Sequence, residues 1–161
     1  MAVSRRLVAL AVAERLATVT GLVGYFGQIG RPLPGLEATT PTDPPTKSDR
    51  DRRVRPYAVL YPGAGTPGSE TSLAECDDDL DAPFTVTVAA GDAEDLLAAI
   101  DRVHAALHRW APGRLDRDGT PFTAGPLRVP PGYDPGPLRQ DRDVQPVRLF
   151  LPLAYQLTAH T

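Results

Sequence analysis

Two histidines stand four residues apart in "RVHAALHRW", at His104 and His108. On a helix that spacing puts both imidazoles on one face, an arrangement zinc can use. Ala105 occupies the position where a zinc metalloprotease pattern has its glutamate, and no third ligand is evident. Cys76 or an aspartate of "ECDDDLD" (Glu75 to Asp81) would have to be recruited arbitrarily. The simpler reading is two polar residues beside a core stripe. The acidic run has enough carboxylates to attract calcium. It lacks the turn glycine and the closing bidentate glutamate of an EF-hand loop. A solvated loop, or an electrostatic contact with another subunit through Asp77, Asp78 and Asp79, fits it better.

"GLVGYFGQIG" has glycine at Gly21, Gly24, Gly27 and Gly30. A phosphate loop needs a lysine and a hydroxyl at the start of a helix. This stretch has neither, and it follows a predicted helix rather than a strand. The spacing does not fit a dinucleotide fingerprint, and collagen needs many more triplets. The basic residues Arg50, Arg52, Arg53 and Arg55 alternate with Asp49 and Asp51, which cancels part of their field. A solvated or inter-subunit salt-bridge face explains them better than nucleic acid does. No serine sits in a nucleophile elbow, and no carboxylate pair has surroundings that would separate its pKa values. These readings imply no enzyme, no cofactor and no metal.

The elements that position these residues are read from periodicity. Ser4 can cap a helix through about Thr20, with Val8, Val12, Leu16 and Val19 on one stripe beside Ala9 and Ala13. Its opening "SRRLVAL" superficially resembles a twin-arginine export signal. Glu14 and Arg15 end the apolar run early, so it reads as an ordinary helix with a basic first turn, too short to span a bilayer. From Gly21 to about residue 54 breakers dominate, with a short strand or hairpin arm over Leu22 to Ile29. Alternation predicts a strand in "RPYAVLYPG", with Tyr57, Val59 and Tyr61 on one face and Ala58 and Leu60 on the other.

"PFTVTVAAGD" is a half-buried strand in which Phe84, Val86, Val88 and Ala90 share a face. Asp92 can cap a second helix from Ala93 to about Trp110, striped by Leu96, Leu97, Ile100, Val103, Leu107 and Trp110. Residues from about 111 to 145 are irregular apart from a short strand near Leu127 to Val129. In "PVRLFLPLAYQLTA" the odd positions Val147 to Ala159 all point one way. Pro152 cannot donate a ladder bond, which predicts an edge strand or a bulge. The sum is one α+β domain over residues 1–161: a mostly antiparallel sheet, two helices on one face and two long arms.

With 161 residues, 42% of them hydrophobic, and a net charge of −3, the chain suits one soluble core and has no general pull toward nucleic acid. One cysteine excludes an internal disulfide. Lys47 is the only lysine among 17 basic residues, which, with abundant Ala, Gly and Pro, suggests a GC-rich genome.

Three stretches, "RPYAVLYPG", "PFTVTVAAGDAEDLLAAIDRVHAALHRW" and "VRLFLPLAYQLTA", resemble the tail terminator proteins of long-tailed phages, particularly those of actinobacterial hosts. The resemblance runs from about Arg55 to the C-terminus, and the first helix fits it. It implies a virion protein, assembled in the host cytoplasm, that caps the tail tube as a six-fold ring. Such a ring stops tube polymerisation and joins the head-completion, or neck, proteins. Its partners would be further copies of itself, the tube protein and a neck protein. There would be no membrane partner, and genome DNA would pass through the lumen without specific binding. The insertion between Gly30 and Arg53 and the segment before the last strand depart from the family pattern.

A ring subunit needs two different patches, one per neighbour. Gly21 to Gly30 is therefore expected as a surface arm, with Tyr25, Phe26 and Ile29 as anchors. Competing readings are a head-closure or tail-completion protein, a tube subunit, a small metal-dependent hydrolase using His104 and His108, and a nucleic-acid module around Arg50 to Arg55.

Overall fold

The computed structural model describes residues 3–67 and 79–161. Two helices, α1 (Arg5–Ala17) and α2 (Ala93–Leu107), pack on one sheet of eight strands. The strands are β1 (Val23–Phe26), β2 (Tyr57–Pro62), β3 (Thr66–Pro67), β4 (Leu80–Ala90), β5 (Gly113–Arg117), β6 (Thr120–Ala124), β7 (Arg139–Asp141) and β8 (Arg148–His160). Their order is β1-β2-β4-β8-β6-β5, with β3 added to β4 and β7 to β8. Every pairing is antiparallel except β1 with β2. The class is α+β with both helices on one face.

The helix caps form as their sequences require. Ser4 accepts from the Leu7 backbone N–H, and Asp92 accepts from that of Asp95 at 2.9 Å. Val8, Ala9, Val12, Ala13 and Leu16 of α1 are buried, as are Leu96, Ala99, Val103 and Leu107 of α2. They meet the β4 row Leu80, Ala82, Phe84, Val86, Val88 and Ala90 and the β8 row Leu151, Leu153, Tyr155, Leu157 and Ala159 in one core. Burying a leucine such as Leu96 there stabilises the fold by about 1.5–3 kcal/mol. Both helices end earlier than their periodicity suggests, at Ala17 and Leu107. Arg109 takes a left-handed conformation (φ 63°), which stops α2 before Trp110. Leu97 stays 53% exposed, one position off the buried stripe.

Three expectations for the strands are corrected. Within 111–145 the chain forms a hairpin, β5–β6, and the short β7. The hairpin turns at Asp118 and Gly119, both at positive φ (52° and 84°), and Asp116 accepts from the Gly119 N–H at 2.8 Å. An Asp-Gly pair is a known hairpin signal, and the sequence carries it openly. Leu127 to Val129 forms no strand, only a single bridge from Arg128 to Gln156. Strand β8 is not at an edge, since β4 flanks it on one side and β6 and β7 on the other. Pro152 is tolerated because β7 ends its pairing at Phe150 and the next bridge is at Gln156. In that gap the Pro152 carbonyl accepts from the Tyr133 hydroxyl at 2.6 Å, so no ladder partner needs the missing N–H.

The first arm is also corrected. Residues 21–54 fold back on their own sheet. Strand β1 lies parallel to β2, and Leu33 packs so closely that a Cβ on Gly24 would fall 2.1 Å from its Cδ1. Residues 46–54 form a small hairpin, bridged Thr46 to Val54, with Lys47 N–H donating to the Arg53 carbonyl at 2.9 Å. Val54, Tyr25, Tyr57, Val59 and Ala89 make a second, smaller core on the face away from the helices.

Candidate interaction surface

Alternation along three adjacent strands builds the outer face of the sheet in rows. Tyr57, Ala89 and Phe150 align across β2, β4 and β8; then Val59, Thr87 and Pro152; then Tyr61, Thr85 and Ala154. The first row lies under the second core. By the third the cover has ended: Tyr61 is 42% exposed, and Thr85 and Ala154 are half-buried. Pro83 beside Gln156 and Asp81 beside Thr158 continue the face, with the Thr158 hydroxyl donating to Asp81 at 2.7 Å. The third row is uncharged and partly apolar, as the centre of a protein contact tends to be.

The cover over the first row is held by charge. Lys47 reaches both carboxylates at the start of α2, bonding Asp92 Oδ2 at 3.1 Å and pairing with Asp95. Arg53 grips Asp51 at 2.8 Å and Asp92 at 3.2 Å. The hydrogen bond from Arg53 draws the Asp51 carboxyl down to about 2, and the bond from Asp95 N–H lowers that of Asp92. The carboxylate partners, Asp95 first, raise the Lys47 ammonium. Arg53 therefore spends its charge within the chain. Arg50 and Arg52 are exposed and form no ion pair among the described residues.

The expected anchors separate. Tyr25 is fully buried in its own chain, edge-on to Tyr57 at 6.1 Å, and its hydroxyl donates to the Pro41 carbonyl at 3.0 Å. Burial, ahead of Tyr57 and Asp43, pushes its pKa up to about 12. It holds the fold and is no surface anchor, because β1 pairs with β2 instead of leaving the body. Phe26 is half-buried beneath Arg31, whose guanidinium carbon lies 5.8 Å from the ring centre. Ile29 is 42% exposed. Asp79 is half-buried, just ahead of β4, whereas Asp77, Asp78 and Cys76 lie outside the described residues.

His104 and His108 do share a face. Their rings stack at 4.6 Å and 16°. His104 Nδ1 lies 3.1 Å from the hydroxyl of Tyr155, giving that buried phenol its hydrogen-bond partner. Burial first, and then electrostatic interaction with His104, Arg109 and Arg128, lower the His108 pKa. Among the described residues no group of three or more His, Cys, Asp or Glu side chains converges as a metal-binding set.

One buried cation escaped the sequence reading. Arg148 is 8% exposed, donates to the Tyr57 hydroxyl at 2.9 Å and stacks on that ring at 5.6 Å. Its place at the start of a long alternating strand gives no local sign of this. The partner lies 91 positions away. No family model and no curated protein matches the chain.

Proposed function

We propose that this chain is a ring-forming structural subunit of a phage virion, of the tail-terminator type. In this reading copies of the chain close into a ring, a hexamer by the resemblance, on the end of the tail tube. The ring stops tube polymerisation and offers its other side to a head-completion protein. Its place is the tail or neck of the virion, and its work is assembly without catalysis or cofactor. The observation that carries the reading is the open row Tyr61, Thr85 and Ala154, an uncharged strip where the cover on the outer face of the sheet ends. A heterologous ring contact needs such a patch on each subunit, matched to a different patch on the neighbour.

Spatial grouping supports the same reading. The stretches that carry the resemblance are β2, β4 with α2, and β8, and they stand side by side in the order β2-β4-β8.

Tail length tests the proposal. In lysates of the parent phage with this gene interrupted, negative-stain electron microscopy is expected to show long, variable tails without heads. Normal tails lying beside filled heads would reassign the protein to the joining step. Intact infectious particles would end both readings.

A further inference from the structure

The groove between the start of α1 and the end of β2 has a composition that the ring reading does not explain. It encloses about 610 Å³ and is walled by Ala9, Leu10, Phe26 and the Pro62–Ala64 turn, with Arg5, Arg6 and Arg31 around it. No acidic residue lines it. All three arginines are exposed, and none forms an ion pair among the described residues. Arg5 donates to the Ala64 carbonyl, and Arg31 lies over the Phe26 ring. The positive end of α1 adds to the field. Its first turn has no acidic residue, whereas that of α2 has Glu94 and Asp95. Asp116 and Asp118 meet Arg5 and Arg6 only in a separate hollow, away from Arg31.

The same chain carries the complement. Between Glu70 and Asp79, ahead of β4, there are five carboxylates and no basic residue, interspersed with Leu73 and Ala74. We propose that this acidic segment of a second copy docks in the Arg5–Arg6–Arg31 groove. The inference deepens the ring reading and rests on it for the second copy. Groove and segment are the two unlike patches that a heterologous contact joins. Opposite charge fixes the register and speeds encounter, while the apolar walls take the segment's aliphatic side chains. Strand β3 brings the two ends of the connection together, with Pro67 paired to Leu80 at the start of β4.

A synthetic peptide of residues 70–79 carrying Cys76→Ser is the first probe. The receiving chain carries Asp77→Asn, Asp78→Asn and Asp79→Asn, so that its own segment does not compete. Binding followed by fluorescence anisotropy is expected at low salt and should weaken as salt rises. Arg6→Glu with Arg31→Glu in the receiving chain is expected to weaken it about tenfold or more. Both arginines are exposed, and an unchanged circular dichroism spectrum checks the fold. No binding at low salt, or binding indifferent to those two changes, overturns the proposal.

Light scattering separates this contact from the ring itself. The Arg6→Glu/Arg31→Glu chain and an Asp77→Arg/Asp78→Arg chain should each be monomeric alone and assemble when mixed. Rings that persist in both variants would leave the ring reading standing and remove this contact. A wild-type chain that stays monomeric while its groove takes the peptide would keep the recognition and remove the ring.

Discussion

Beneath α1 and α2 the sheet is sealed by side chains that repeat: every second residue of β4 and β8 meets every third or fourth residue of a helix. On the opposite face the cover is an irregular segment, and it closes only half the surface. Its hold comes from a few particular contacts. Lys47 and Arg53 reach the start of α2, the Tyr25 hydroxyl reaches Pro41, and the Val54 carbonyl accepts from the Gly91 N–H at 3.0 Å. A regular element brings a periodic apolar face and needs no charge to stay in place. An irregular one satisfies its backbone piecemeal and has few apolar residues to offer. It therefore stops where its contacts stop, at the row of Val59, Thr87 and Pro152, and the next row is left open.

The contrast between the faces can be broken by substitution. On the helix face, Leu96→Ala is expected to cost about 2–5 kcal/mol, because the packed helix cannot collapse into the space. Urea unfolding with an unchanged slope would measure it. On the other face Gly91→Ala is expected to cost about 1–3 kcal/mol, since its Cβ would lie 2.7 Å from the Val54 nitrogen. Faster proteolysis within residues 46–54 would show that the loss falls on the cover and not on the helices.

A smaller effect belongs to His108. Its folded pKa lies below the ordinary 6.5, so below that value the unfolded chain takes up a proton that the folded chain resists. Stability is therefore expected to fall as pH drops through 6.5 toward the lowered folded value. His108→Gln should flatten that part of the profile, read by thermal unfolding across pH. The smallest change in stability, within about 0.5 kcal/mol, is expected for Thr85→Arg on the open row. There the comparison is sharpest, because the same variant should abolish ring formation in light scattering.

Much of the fold was legible in local sequence. Ser4 and Asp92 cap the helices, and the alternation of Phe84 to Ala90 and of Leu149 to Ala159 assigns each residue to a face. These are signals within one element, and side-chain period reports them directly. The Asp118–Gly119 turn was equally local, and the hairpin could have been found from it.

Other features depended on distant residues. Whether Gly21 to Gly30 leaves the body or joins the sheet is decided by Pro56 to Leu60, which offer β1 a parallel partner. Where Pro152 can sit depends on a gap between β7 and Arg128, and Arg148 is buried because Tyr57 lies across the sheet. The sequence by itself determined which residues are apolar and in what period, and hence the class of fold. Only the tertiary structure decided which apolar residues are spent within the chain, as Tyr25 is, and which remain outside, as Tyr61 does. The physical reason is that burial depends on the partner that covers a residue, and period names only the face it occupies.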